Sequence, residues 1–360
     1  MNNIIFRIAH LGAFLLLSMF LSSAYAQTKA ESGAVSLKIG TGGTGGTYYP
    51  VGGAIAKLLS KDKAPQDCDF LGGCGIDGVS AEALSTGASV QNVTDVQSGA
   101  LDIGISDAAV MYFAYKGLGK FEGQPKSDLR ILANLYPEDL HLVLAPGVEL
   151  EALGDLAGKR VGIDKPGSGT QNAVEAILAE FRLTRDDYKA FPVSSGESIE
   201  LIKQGKLDAY FYAAGTPVSG IAKLSEELGI SLYSFTEDEV RRSNKAVPYY
   251  IPSTIKSGIY SGVDYDVNTV AVSALLFTHA KKPDPLMYKV VRAMWQDYGQ
   301  DTLVKTHSKG KVINLGSSLN GLEGLGVPLH PGAEKYYRRM CQFTVPRSPE
   351  RYKRYPIECG

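Results

Sequence analysis

A strand-like period of hydrophobic residues changes to a helical period at two places in the chain. Residues 35–39 (VSLKI) alternate as in a strand, and the glycine-rich residues 40–46 separate them from apolar positions spaced three and four apart. Residues 160–164 (RVGID) predict a second strand, which leads through residues 165–170 (KPGSGT) into a second helix. The predicted apolar helix faces comprise Tyr48, Val51, Ile55, Leu58 and Leu59 in the first half, and Val174, Ile177, Leu178 and Phe181 in the second.

A shorter sequence match strengthens this correspondence between the two halves. The turn Gly-x-Leu-Asp occurs at Gly99 and again at Gly205, an offset of 106 positions (205 − 99). Each turn ends a short helical stretch and precedes a predicted strand, over residues 101–105 and 207–211 respectively. The strand, glycine-rich turn and helix recur in the two halves, and so does the Gly-x-Leu-Asp turn, in the same order. These two matches predict an α/β fold with two paired lobes.

Two apolar segments are predicted to connect the lobes, over residues 129–145 and 268–280. In the first segment, residues 137–139 (PED) separate two apolar runs. With two crossings, lobe 1 is discontinuous and comprises residues 27–140 and 270–360, and lobe 2 comprises residues 141–269. Residues 285–298 are predicted to form one packing helix of lobe 1.

The N-terminus has the pattern of an export signal. Arg7 precedes a mostly apolar run over residues 8–21, and Ala24-Tyr25-Ala26 has the small-x-small form of a signal-peptidase site. Cleavage after Ala26 would leave 334 residues (360 − 26). An uncleaved anchor is the alternative, but the run is shorter than the roughly 20 residues that span a bilayer. We therefore expect a soluble protein in the periplasm.

The charge balance restricts the class of partner. The chain of 360 residues has 37 Lys and Arg against 38 Asp and Glu, a formal net charge of −1. Most nucleic-acid-binding proteins need a basic surface, so no nucleic acid is expected as a partner. The 40 glycines exceed average usage, which is roughly 7%, and they cluster where the backbone is expected to turn or to approach a ligand.

Four cysteines fit an oxidising compartment. Cys68 and Cys74 flank a short loop, and Cys341 and Cys359 flank the C-terminal tail. Pairing of these neighbours predicts two disulfides, although it is one of 3 possible connectivities. A metal site is the alternative, but the spacing is not C-x-x-C and no histidine lies near either pair, so no metal is expected.

The glycine-rich turns indicate binding of an anion. A turn between a strand and a helix presents free backbone N–H groups at the positive end of the helix dipole. The first turn lacks the Gly-Lys-Ser/Thr ending of a phosphate loop, and a G-x-G-x-x-G spacing at Gly40, Gly42 and Gly45 is a weak signal alone. We expect a carboxylate ligand and no nucleotide or other cofactor.

Six motifs closely resemble the TAXI family of TRAP-transporter solute receptors. The matching segments are residues 42–53 (GGTGGTYYPVGG), 87–92 (GASVQN), 135–138 (LYPE), 156–161 (LAGKRV), 166–170 (PGSGT) and 328–333 (PLHPGA). They are spread over nearly all of the chain that follows the export signal. The segment around Cys68 and Cys74 is less typical and looks like an insertion.

The resemblance implies a two-lobed type II periplasmic binding protein fold with a central ligand cleft. Such a receptor, expected here as a monomer, captures a small organic acid such as glutamate or 2-oxoglutarate and delivers it to the small and large TRAP membrane subunits, which an ion gradient drives. Carried over by motif, the ligand-binding residues would be Thr44, Gly45, Gly46, Thr47, Tyr48, Asn92, Ser106, Asp107 and Tyr136 on one side, and Ser168, Gly169, Thr170, Gly215 and Pro217 on the other.

Two other functions fit parts of the sequence. An ABC importer uses receptors of the same fold, and fold alone does not separate the two kinds of importer. An exported serine hydrolase is the second alternative, because Ser106 lies between a strand and an apolar run, the context of a nucleophile elbow. Its motif departs from G-x-S-x-G at the last position, and the histidines that could act as its base are scattered through the chain.

Overall fold

One mixed sheet of ten strands organises the part of the chain that the computed structural model describes, namely residues 35–61, 75–247, 249–322 and 324–344 (the last four as backbone). The strands are β1 Val35–Gly40, β2 Val79–Leu84, β3 Ile103–Asp107, β4 Leu129–Leu144, β5 Arg160–Gly162, β6 Lys189–Phe191, β7 Ala209–Ala214, β8 Ser231–Leu232, β9 Ile251–Ile255 and β10 Val267–His279. Eight strands follow the order β2-β1-β3-β10-β4-β7-β5-β6, while β8 pairs with β4 and β9 with β10.

The long strands β4 and β10 join the two halves of the sheet. Residues 129–139 of β4 pair antiparallel with residues 271–279 of β10, and residues 139–144 continue alongside β7. Both strands are buried along almost their entire length, as expected for strands covered on both faces. The two predicted connections are therefore the central strands. Residues 137–139, which separate two apolar runs in the sequence, do not interrupt β4, because Pro137 faces Ser273 within the continuous pairing.

Ten α-helices cover this sheet in the described residues. They are α1 Tyr48–Leu59, α2 Ser89–Ser98, α3 Ala108–Lys116, α4 Gly169–Glu180, α5 Ser195–Lys203, α6 Ser219–Leu228, α7 Glu237–Ala246, α8 Asp284–Trp295, α9 Asp297–Thr306 and α10 Pro331–Thr344. The predicted single helix over residues 285–298 is wrong. Gln296 has extended backbone angles (φ −77°, ψ 157°), and its conformation separates α8 from α9.

The predicted apolar faces lie in the core. Tyr48, Val51 and Ile55 of α1 are buried, as are Val174 and Ile177 of α4. Glycine ends α2, α3 and α6 in a left-handed conformation, which a residue without a Cβ adopts at little cost. The strands after the two Gly-x-Leu-Asp turns start at residues 103 and 209, two positions later than predicted.

The predicted α/β fold class is confirmed, with a strand, a glycine-rich turn and a helix in each half of the sheet. The described residues from Ser36 onward form one compact unit. No described helix has both the length and the apolar character needed to cross a membrane. The predicted export signal over residues 1–26 lies outside the described part of the chain, and so do the predicted disulfides, since Cys68, Cys74, Cys359 and the side chain of Cys341 are not described.

Candidate ligand-binding site

A cavity of about 260 Å³ opens where several helices begin. The glycine-rich turn after β1 and the first residue of α1 form one wall, together with residues 85–89 at the start of α2. Residues 168–170 at the start of α4 and residues 194–196 at the start of α5 lie opposite, next to residues 212–214 of β7. Four helix N-termini therefore border one cavity, and their free backbone N–H groups make it suited to a negatively charged group.

Glycine is needed at only some positions of the first wall. A Cβ atom added to Gly43 or Gly45 would meet nothing within 4 Å. A Cβ added to Gly46 would collide with the hydroxyl of Tyr212 on β7, from the opposite wall. The backbone at Gly46 therefore approaches the second wall too closely for any side chain.

The start of α4 is held by hydrogen bonds within the second wall. Ser168 caps the helix, because its Oγ accepts a hydrogen bond from the backbone N of Gln171 at 3.0 Å. The Oγ1 of Thr170 accepts one from the backbone N of Ala213 at 3.1 Å. Both hydroxyls also hydrogen-bond to Asp164 and lower its pKa, against the larger effect of burial. A ligand would therefore meet α4 mainly through backbone N–H groups.

Three carboxyl groups line the cavity, at Asp107, Glu138 and Asp164. Burial raises the pKa of all three, because a charged carboxylate loses its water shell. Asp107 caps α3 and accepts a hydrogen bond from Val110 N at 2.7 Å. Glu138 lies on β4 and accepts one from the hydroxyl of Tyr48 at 2.7 Å. No group of three described His, Cys, Asp or Glu side chains is arranged to hold a metal ion.

Several tyrosines surround Glu138. Burial first, and then the charge of Glu138, raises the pKa of Tyr48 and of Tyr136. Burial, and then the charges of Asp107 and Glu138, raise the pKa of Tyr250. Tyr136 and Tyr250 are each 1% exposed, and within the described residues their hydroxyls have no hydrogen-bond partner. Unsatisfied buried hydroxyls of this kind are rare in folded proteins.

The two walls also contact each other directly. Thr47 Oγ1 donates a hydrogen bond to the backbone O of Gly215 at 3.0 Å. The backbone N of Val90, on α2, donates one to the backbone O of Gly167 at 3.1 Å. These bonds join the glycine-rich turn and α2 to the opposite wall.

The structure brings together nine of the residues proposed for ligand binding. Thr44, Gly45, Gly46, Thr47, Tyr48, Asp107, Ser168, Gly169 and Thr170 line the cavity. Asn92, Ser106, Tyr136, Gly215 and Pro217 are outside its lining. The backbone O of Gly215 accepts a hydrogen bond from Thr47 of the first wall. Pro217 lies two residues further on, and the peptide bond between Thr216 and Pro217 is cis.

Asn92 and Ser106 serve the backbone around the cavity. Asn92 Nδ2 donates to the backbone O of Thr41 at 2.7 Å and of Ile105 at 2.8 Å. Ser106 is fully buried and its Oγ donates to the backbone O of Asp107 at 3.1 Å. The side chain of Ser106 therefore does not reach the cavity, as a hydrolytic nucleophile would have to.

Sequence reasoning did not identify Glu138, Asp164, Ser195 or Tyr212 as lining residues. Glu138 lies inside the LYPE motif, from which only Tyr136 was carried over as a ligand-binding residue. Asp164 lies two residues after the end of β5, and polar residues just after a strand at the carboxyl edge of a sheet are candidates for ligand contact. That position was a usable signal for Asp164.

Comparison with known proteins gives a family match and several structural similarities. Residues 39–340 match the model of the NMT1-like family. MatC from Rhodopseudomonas palustris with bound malate has 15% identity and a TM-score of 0.49, covering 84% of this chain and 97% of its own. The alkanesulfonate-binding protein SsuA from Xanthomonas axonopodis pv. citri, bound to MOPS, has 15% identity and a TM-score of 0.44, covering 86% and 92%. The periplasmic aliphatic sulphonate binding protein SsuA from Escherichia coli has 15% identity and a TM-score of 0.40, covering 84% and 78%.

Proposed function

We propose that this chain, which belongs to the NMT1-like family, is an extracytoplasmic solute-binding receptor that delivers a small organic acid to a membrane transporter. The observation that carries this proposal is the convergence of four helix N-termini on one closed cavity. Backbone N–H groups and helix dipoles attract a carboxylate without a basic protein surface. The formal net charge of −1 is compatible with such local attraction.

Closure around the ligand supplies the signal for delivery. A ligand that touches both walls is bound fully only in the closed form, so it shifts the equilibrium between open and closed forms. We assign residues 27–140 and 270–360 to one lobe and residues 141–269 to the other, with β4 and β10 as the connections. Export after cleavage at Ala26 belongs to the same proposal.

We propose a TAXI-type TRAP transporter as the membrane partner, because the six sequence motifs support it. Its ligand would be glutamate, 2-oxoglutarate or a related carboxylate. Transport assays in membrane vesicles test this assignment, with the receptor added to the permease encoded beside it. Uptake that needs an ion gradient supports the TRAP assignment, and uptake that needs ATP hydrolysis supports an ABC importer instead.

Identification of the bound molecule tests the receptor function itself. The mature protein is purified from its native host and denatured, and the released small molecules are identified by mass spectrometry. We expect an organic acid in amounts near one per protein. Titration calorimetry with that acid and the refolded protein should then give a saturable heat. Absence of any released or titratable small molecule would contradict the proposed function.

A further inference from the structure

The charged side chains that line the cavity are mostly acidic, which does not suit a ligand that carries only negative charge. Three carboxyl groups line it, and of the described residues Lys165 is the one basic residue in the lining. No side-chain nitrogen of a described lysine, arginine or histidine lies within 4.0 Å of a carboxyl oxygen of Asp107, Glu138 or Asp164. A ligand with only negative groups would place its charge near three acidic side chains that lack a close cation.

Two of the three carboxyl groups already have several hydrogen-bond donors. Asp107 accepts from the backbone N of Val110 at 2.7 Å, and its carboxyl also interacts with the hydroxyl of Ser89 and the backbone N of Ala109. Asp164 accepts from the backbone N of Lys165 at 2.8 Å and interacts with the hydroxyls of Ser168 and Thr170. Both side chains therefore stabilise the turns that they belong to, and neither needs a ligand to complete its hydrogen bonding.

Glu138 differs from them in its surroundings. It is 3% exposed, and within the described residues its hydrogen bond from Tyr48 to Oε2 is the one it accepts, so Oε1 is left without a donor. The neighbouring Asp139 does not share this situation, because it accepts from Ser253 at 2.7 Å and lies 3.6 Å from Lys309 Nζ. Lys309 thus pairs with Asp139.

We infer that Glu138 is the specificity-determining residue that binds an ammonium group of the ligand, so the ligand class is zwitterionic amino acids and not nitrogen-free organic acids. This inference rests on the proposed function. The carboxylate of an amino acid would lie at the helix N-termini, and its ammonium would donate to Oε1 of Glu138. A nitrogen-free acid leaves the buried Glu138 without this donor.

Matched pairs of ligands test the inference directly. Titration calorimetry measures binding of L-glutamate against 2-oxoglutarate, L-alanine against pyruvate, and L-valine against 3-methyl-2-oxobutanoate. The members of each pair differ only in the group at the α-carbon. For the pair whose side chain fits, we expect the amino acid to bind at least about tenfold more tightly, as for a hydrogen bond to a charged group. Equal or tighter binding of the oxo acid would overturn the inference.

Variants of Glu138 assign the preference to this side chain. Glu138→Gln keeps the size and removes the charge, and it should lower the affinity for the amino acid at least about tenfold while changing that for the oxo acid less. Glu138→Asp keeps the charge and should retain a preference for the amino acid. Glu82→Gln makes the same change at an exposed position and should behave as wild type. Circular dichroism establishes that each variant is folded.

The outcomes separate this inference from the proposed function. Binding of a nitrogen-free acid as the favoured ligand keeps the receptor function and rejects the role of Glu138. An unchanged amino-acid preference in Glu138→Gln also rejects that role. If neither the panel nor the released small molecules bind, the proposed function fails and the inference fails with it.

Discussion

At the scale of single residues, Gly46 fixes how closely the two walls approach. A Cβ at this position would collide with the Tyr212 hydroxyl in the closed form. We expect Gly46→Ala to destabilise closure by about 1–3 kcal/mol, as for an overpacked site, and to reduce the rise in unfolding temperature that a bound ligand causes. Gly45→Ala is the matched control, because its Cβ would enter open space.

A second substitution checks the cause of this effect. Tyr212→Phe removes the hydroxyl that the new methyl group would hit, so the double variant Gly46→Ala/Tyr212→Phe should recover part of the ligand-induced stabilisation. Differential scanning fluorimetry with the released organic acid measures this stabilisation in wild type, Gly46→Ala, Tyr212→Phe and the double variant. Wild-type stabilisation in Gly46→Ala alone would show that the walls do not approach as described.

The protonation of Glu138 gives a prediction about pH. Burial raises its pKa in the folded protein above the ordinary value of 4.5. At pH values between 4.5 and that raised pKa, the folded protein therefore binds more protons than the unfolded chain. Stability from this residue is then lost as the pH rises through that window. At pH values above this window, each unit of pKa elevation lowers the free energy of unfolding by about 1.4 kcal/mol. Tyr48 and Lys309 act against the elevation, while Asp107 and Asp139 add to it.

We therefore expect the ligand-free Glu138→Gln variant to gain stability relative to wild type as the pH rises above 4.5. Urea unfolding at several pH values measures the difference between the two proteins. Buried histidines titrate in both proteins, so their contribution cancels in that difference. Glu82→Gln is the control for a change of net charge, and a difference that does not vary with pH would contradict the prediction.

At the scale of elements, Asn92 holds together the strand ends beneath the cavity. Its side chain donates to Thr41 O and Ile105 O and accepts from Thr86 Oγ1 at 2.8 Å. Asn92→Leu leaves these buried groups unpaired, and we expect a loss of about 2–4 kcal/mol in the free energy of unfolding. Urea unfolding measures it, and Asn244→Leu at an exposed position of α7 should change stability by less than about 0.5 kcal/mol.

The elements with a strong hydrophobic pattern could be predicted from the sequence. The buried positions of α1 and α4 follow the helical period. The strands β4 and β10 appear as long apolar runs, because both faces of these strands are buried. The break at Gln296 could not, since neither proline nor glycine marks it. Glu138 was missed for a similar reason: pairing with β10 keeps the strand continuous through Pro137, and that pairing is a long-range contact.

At the scale of the whole molecule, small contacts across the cavity join its two walls in the described structure, and we propose that this is the closed form of the receptor. Thr47 is 3% exposed, and its hydroxyl donates to Gly215 O across the cavity. Val90 N and Gly167 O form another such contact. Each neutral hydrogen bond contributes about 0.5–1.5 kcal/mol net. The equilibrium between open and closed forms is therefore sensitive to the loss of one of them.

Thr47→Val tests this balance, because it keeps the shape of the side chain and removes the hydroxyl. We expect the ligand-free protein to open, with a larger radius of gyration in X-ray solution scattering, and the Kd for the released organic acid to rise by about 2–10-fold. The ligand-bound radius should match wild type, since the ligand still joins both walls. Thr94→Val removes a hydroxyl whose bond to Val90 O stays within α2, so neither quantity should change. Weaker binding with unchanged ligand-free scattering would mean that the Thr47 hydroxyl acts on the ligand and not on closure.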